Sequence, residues 1–127
     1  MGASIGTYTD LDKSYVSLNT LKQSLDPSLD LFADVLLNPA FPEAEFDRLK
    51  RDQLNNIKRE KAQPIQMALR VFPKFLYGTG HAYAKPLTGS GLENTVGQIS
   101  LEDVKSYYSS YISPNNSVLT VVGDISM

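Results

Sequence analysis

Prolines divide the middle of this 127-residue sequence into three consecutive helical segments, and any fold it adopts must place a helical layer around them. Asp26-Pro27 supplies an N-cap followed by proline at the first helical position, where the missing N–H is harmless. Leu29, Phe32, Ala33, Leu36 and Leu37 then recur at helical spacing until Asn38-Pro39 stops them, which predicts a helix over 27–37. The second segment runs from about Glu43 to Ala62, with Phe46, Leu49, Leu54 and Ile57 in one narrow stripe and Asn56 at its edge. Packing is expected to account for Leu49, and Asn56 reads as a helix-surface amide. Pro64 opens the third segment, in which Ile65, Ala68, Leu69, Phe72 and Leu76 are expected to form the buried face and Pro73 to kink the helix.

The flanks are mixed. Ser4 to Thr9 and Ser14 to Thr20 are rich in β-branched and aromatic residues, and Asp10-Leu11-Asp12-Lys13 between them predicts a hairpin turn. Ser100, with Asp103 three residues on, resembles a capping box opening a helix lined by Leu101, Val104, Tyr107, Tyr108 and Tyr111. Pro114-Asn115-Asn116 turns the chain, and Val118 to Val122 predicts a strand buried on both faces. The fold class is α+β, with an antiparallel-rich sheet packed against helices, and 127 residues with 42% hydrophobic content read as a single unit.

Charge and ligand counts exclude several functions. A formal charge of −2 with acids and bases interspersed gives no field to hold nucleic acid, and the basic residues of the second helix alternate with Asp47, Asp52 and Glu60. The longest apolar runs are too short to span a bilayer, so no transmembrane segment is expected. His81 is the only histidine and there is no cysteine, so a zinc site built on two histidines cannot be assembled from this chain alone. The glycine-rich stretch Tyr77 to Gly91 has neither the order nor the Lys-Ser/Thr pair of a phosphate loop, and His81 and Tyr83 read as structural anchors of that loop. No catalytic, cofactor-binding or metal-ligating residue is assigned.

Several words of the sequence occur together and in order: Asn38-Pro39-Ala40-Phe41-Pro42, the acidic turn Glu43-Ala44-Glu45, Phe46-Asp47-Arg48 opening a long helix, the His81-x-Tyr83 loop, and the ending Pro-Asn-Asn-Ser-Val-Leu-Thr-Val-Val-Gly-Asp from Pro114 to Asp124. Together they resemble the pitrilysin/insulinase family of zinc peptidases, which includes mitochondrial processing peptidase. The resemblance covers Ala3 to Ile125 and implies a two-layer half-domain of that fold.

Active halves of that family carry His-x-x-Glu-His, and a downstream helix supplies a Glu ligand seven residues after another Glu. Aligned on Phe46-Asp47-Arg48, these two positions fall on Leu49 and Asn56, neither of which is a carboxylate. Glu60 lies one turn beyond Asn56, but the register set by Asn56-Ile57-Lys58-Arg59 excludes it as the counterpart. The resemblance therefore implies the second, non-catalytic half of a two-half zinc metalloendopeptidase. Such a half forms part of a peptide-enclosing chamber and contacts the catalytic half, or a partner subunit, where zinc is expected. The alternative is a structural or partner-binding subunit of the same family without peptidase activity. The resemblance also implies an incomplete half-domain with an open sheet edge and exposed apolar helix faces, so self-association is expected. The family's two-half members suggest a bacterial periplasm or envelope.

Overall fold

A computed structural model describes residues 2–124. Among them the order is β1 (Ser4–Thr9), β2 (Ser14–Asn19), a 3-10 turn at Lys22–Ser24, α1 (Leu25–Leu37), α2 (Glu43–Lys61), α3 (Pro64–Tyr77), α4 (Glu93–Gln98), α5 (Leu101–Tyr111) and a 3-10 turn at Pro114–Asn116. The chain is thus α+β, as its pattern predicts, and its one sheet among the described residues is the β1–β2 hairpin. Residues divide into two compact units. One comprises 2–8, 15–40 and 102–124, the other 9–14 and 41–101.

In the first unit the hairpin forms where expected, and Tyr8 and Tyr15 stack across it with ring centroids 6.0 Å apart. Helix α1 begins at Leu25, two residues before the expected start, because the 3-10 turn leads directly into it and leaves Pro27 in its first turn, where a proline still costs no hydrogen bond. Its inward side is Leu25, Ser28, Phe32 and Leu36, while Leu29, Ala33 and Leu37 from the expected stripe are exposed. Ser28 is buried because its hydroxyl is satisfied locally. It donates to Ser24 O at 2.6 Å and lies 3.0 Å from Thr20 Oγ1. Tyr108 of α5 donates its phenol to Leu36 O at 2.6 Å, covering a carbonyl in the last turn of α1. On α5, Leu101, Val104 and Tyr108 are half-buried, while Tyr107 and Tyr111 are exposed and pack on each other at 4.9 Å.

The run Val118 to Val122 is not a strand in the structure. Val118, Leu119 and Val122 are 93%, 80% and 92% exposed, and no described strand lies alongside them. Apolar β-formers define a segment able to pair, but pairing also needs a sheet edge in register, which the described residues do not supply here.

In the second unit α2 and α3 pack together and α4 packs on α2. The buried side of α2 is Phe46, Lys50, Gln53, Leu54, Asn56, Ile57 and Glu60, with Ile57 fully buried. Leu49 is 57% exposed, which corrects the expectation that packing explains it. Lys50 lies on the inward side because its ammonium donates to Ile99 O at 2.7 Å and sits over the Phe46 ring, 5.8 Å from its centroid.

Helix α3 departs furthest from its pattern. Its buried residues are Arg70 and Pro73, whereas Ile65, Leu69, Phe72 and Leu76 are 76%, 39%, 54% and 59% exposed and Ala68 is exposed too. A helix with apolar residues on nearly every side can bury only the face its unit covers. Pro73 lies inside a continuous α3. Its missing N–H leaves Leu69 O without a helical donor, and the Leu87 N–H from the following loop fills the vacancy at 3.1 Å. Gly78 ends the helix at φ 75°, a backbone region that favours glycine. The sequence pattern gave no sign of α4, whose six residues contain one large apolar side chain, Val96.

These exposures predict unequal results for two similar-sized apolar residues of the expected stripe. Ile57→Ala should cost about 2–5 kcal/mol in urea unfolding, because it empties a fully buried site. Leu49→Ala should cost less than about 1 kcal/mol. Equal losses would contradict the packing described for α2.

Candidate functional site

The one strongly ionic, buried cluster among the described residues is built on Glu60, in the last turn of α2, and Arg70, in the middle of α3. Ten residues apart in sequence, they meet because the chain reverses at Gln63-Pro64. The Glu60 Oε2 to Arg70 Nη1 distance is 2.6 Å, with side chains only 11% and 6% exposed. Burial of two charges is costly unless every remaining donor and acceptor is matched, and here the loop after α3 provides the matches.

Ser90 Oγ donates to Glu60 Oε2 at 2.6 Å and accepts from Arg70 Nη1 at 2.5 Å. Arg70 Nη2 donates to Gly91 O at 2.7 Å. Thr88 Oγ1 lies 3.1 Å from Glu60 Oε2 and 2.8 Å from Ser90 Oγ, so its single proton has two acceptors within reach. The other carboxylate oxygen, Oε1, accepts from Asn56 Nδ2 at 3.0 Å, and Gln53 Nε2 donates to Ser90 O at 2.9 Å. Gly91 sits at φ 80°, and a Cβ there would meet Val96 Cγ2 of α4 at 3.1 Å, so both conformation and space call for glycine.

Electrostatics follow from this arrangement. Burial pushes the Glu60 carboxyl up, but hydrogen bonds from Ser90, Arg70 and Thr88, together with the Arg70 charge, outweigh it and hold the group below its ordinary value of 4.5. Nearby, Lys61 bridges to Glu93 at 2.5 Å and holds that carboxyl low, chiefly through the hydrogen bond. Those two residues, with Arg70, Leu92 and Asn94, line an open depression of about 450 Å³.

The positions singled out in the sequence divide cleanly. Asn56 and Glu60 come together, donor to acceptor, on one face of α2. Leu49 is exposed and belongs to no cluster. His81 and Tyr83 lie in the loop after α3, where His81 stacks on Tyr77 at 5.1 Å, accepts the Tyr83 N–H at its Nδ1, and Tyr83 donates its phenol to Asp12 Oδ1 at 2.7 Å. That hydrogen bond to Asp12 raises the Tyr83 phenol. Arg70, Thr88, Ser90 and Gln53 went unnoticed in the sequence. The available signal was Arg70 itself, a charge interrupting an otherwise apolar helix face, ten residues from an acid across a proline turn.

The residues at this site do not fit a zinc ion. Asn56 presents its amide nitrogen, a donor, toward Glu60, and both Glu60 oxygens are already occupied by protein donors. Among the described residues no three His, Cys, Asp or Glu side chains group as ligands would.

Comparison with known proteins gives the following. The Insulinase (Peptidase family M16) family model matches residues 1–86. The chain is 24% identical over 126 residues to the "Uncharacterized zinc protease YmxG" of Bacillus subtilis, covering 99% of this chain and 30% of that protein. It is 27% identical over 118 residues to the "Zinc protease PqqE" of Helicobacter pylori, covering 92% of this chain and 26% of that protein. The chain thus spans less than a third of the length of either relative. No solved structure matches it.

The cluster makes two measurable statements. Arg70→Met should destabilise the chain by about 3–5 kcal/mol, since it strands a buried carboxylate, and the double variant with Glu60→Gln should lose less than Arg70→Met alone. Stability should also depend on Glu60 in acid. Its native carboxyl ionises at lower pH than the unfolded one, so between the two values the unfolded state holds more protons and stability rises with pH. The contribution is complete above the ordinary value of 4.5 and is lost as pH falls through the lower native value. Urea midpoints taken from pH 7 to pH 3 should fall less steeply for Glu60→Gln than for the natural sequence. Parallel profiles would remove Glu60 as a source of acid sensitivity.

Proposed function

Since the chain belongs to the insulinase family of peptidases (peptidase family M16), we propose that it acts as a non-catalytic half-domain of a zinc metalloendopeptidase. In this reading it supplies wall and partner contacts to a peptide-enclosing chamber, while a catalytic half, in the same protein or in a partner subunit, holds zinc and performs the hydrolysis. One observation carries the reading. At the position that the family resemblance assigns to the anionic metal ligand stands Asn56, whose amide donates at 3.0 Å to a carboxylate already paired with Arg70. A neutral donor in a saturated network serves to hold α2, α3 and the 88–91 loop together. Nothing in that role moves a proton or activates water.

The residues of this chain have positional tasks in the proposal. Glu60 and Arg70 fix the spacing of α2 and α3, Ser90 and Gly91 hold the loop against them, and the exposed apolar side of α3 offers surface to the rest of the protein. When bound in the other half, zinc would polarise the peptide carbonyl and activate water. The relatives bearing zinc-protease names support a peptide substrate for the whole protein.

In the full-length protein that contains this segment, Asn56→Ala should leave zinc per chain unchanged by elemental analysis. Loss of the metal would place Asn56 at the metal centre and overturn the proposal. The 127-residue chain alone should not cleave an internally quenched peptide. A full-length protein free of zinc would replace the peptidase reading with that of a structural subunit.

A further inference from the structure

The proposed function leaves His81, the only histidine, without a task. Its ring stacks on Tyr77, at the end of α3, with centroids 5.1 Å apart and planes 17° from parallel, and packs on Tyr83 at 5.6 Å. Its Nδ1 accepts the backbone N–H of Tyr83 at 3.1 Å, which fixes the ring proton on Nε2 in the neutral form. The Tyr83 phenol in turn donates at 2.7 Å to Asp12 Oδ1, in the turn that joins β1 to β2. A lone pair on one imidazole nitrogen thus holds the residue that ties the loop after α3 to the hairpin turn. We propose that His81 is a pH-sensitive latch, whose protonation expels the Tyr83 amide and frees the β1–β2 turn from the loop.

Imidazolium donates from both nitrogens, so a protonated Nδ1 faces the Tyr83 N–H donor against donor. Turning the ring over within its stack on Tyr77 brings a carbon to that place, which accepts nothing. The N–H must therefore leave, and the phenol that reaches Asp12 belongs to the same residue. The displacement is bounded on one side by Ala84 and Pro86, which are buried anchors of the loop. On the other side Gly78 and Gly80 have open space around them, so the backbone between can shift without collision. Histidine is the side chain that changes charge between about pH 5 and 8, whereas phenols as a class titrate near 10 and carboxylates near 4. Both rings against His81 are phenols, and the bond to Asp12 holds that of Tyr83 higher still. The other charged side chains on the elements that meet here are Lys74 in α3, Lys85 in the loop, and Asp10, Asp12 and Lys13 in the turn. His81 alone among them is of a type that titrates in that window, so the latch is closed above its midpoint and open below.

The test is an NMR titration of the isotope-labelled chain from about pH 8 to about pH 5.5, the range in which a histidine responds. The His81 ring signals give its midpoint. Protection of the Tyr83 amide against exchange, taken relative to an unstructured chain at each pH, should fall about tenfold through that midpoint, the size of one lost hydrogen bond. The Asp12 and Lys13 amide signals should move with the same midpoint. His81→Phe keeps a ring against Tyr77 but offers no acceptor, so Asp12 and Lys13 should sit at their acid positions at every pH. In Tyr83→Phe, which lacks the phenol, they should not follow His81 at all. A Tyr83 amide that stays protected through the His81 midpoint would overturn the latch. Asp12 and Lys13 signals that ignore the midpoint in the natural sequence, or that still follow it in Tyr83→Phe, would overturn release of the turn.

Discussion

The second unit depends on one buried ion pair. Glu60 and Arg70 could not sit against each other at 11% and 6% exposure unless other groups completed their hydrogen bonding, because desolvating two charges costs several kcal/mol per ion. Those other groups come from a loop with almost no apolar content, Thr88-Gly89-Ser90-Gly91. The dependence is mutual: Thr88 to Gly91 have no hydrophobic means of staying folded, and apart from the Asn56 amide the ion pair takes its partners from them. Every connection is directional, so the cluster fixes distances and angles where greasy contacts would only fix proximity.

Pro73 contributes a second directional link of the same kind. In an isolated helix its missing N–H and ring clash are defects. In α3 the carbonyl it leaves vacant, Leu69 O, becomes the acceptor for Leu87 N–H. The loop after α3 is thus tied at Leu87 to the helix backbone, and at Thr88, Ser90 and Gly91 to charged side chains. Pro73 and Arg70 share the only buried side of α3, one freeing an acceptor and the other supplying donors. With so few buried aliphatic side chains, Ile57 foremost, this unit relies unusually heavily on hydrogen bonds for its definition.

Local signals were legible and tertiary ones were not. Proline and turn chemistry located the hairpin and the three long helices to within two residues, since caps and missing donors act over one turn. Which face of each helix is buried was read less well. On α2 the apolar stripe included Leu49, yet the buried side runs through Lys50, Gln53, Asn56 and Glu60. Polar residues with buried partners look the same in sequence as solvated ones. Apart from the Asn56–Glu60 pair within α2, the partners here lie on other elements, ten to forty-nine residues away. On α3 apolar residues surround the helix, so periodicity could not say which side the unit covers. The short α4 has too few residues to show a period, and the valine-rich run at 118–122 reports an ability to pair without reporting a mate.

The position that the family resemblance aligns with a zinc ligand shows how the two roles exclude each other. Asn56 and Glu60 face each other one helical turn apart, with the Asn56 amide supplying a proton-bearing nitrogen to Oε1. A carboxylate at position 56 would bring a second negative charge against Glu60 in a half-buried setting, where like charges repel far more strongly than in water. A cation would have to lie between them to offset that repulsion. Arg70 is the cation already present, and its two terminal nitrogens are committed to Glu60, Ser90 and Gly91. The same helix face can therefore hold a metal between carboxylates, or hold a loop through one carboxylate and one guanidinium. In this chain the amide at Asn56 belongs with the second arrangement, because only a neutral donor lets Glu60 keep its full set of protein partners.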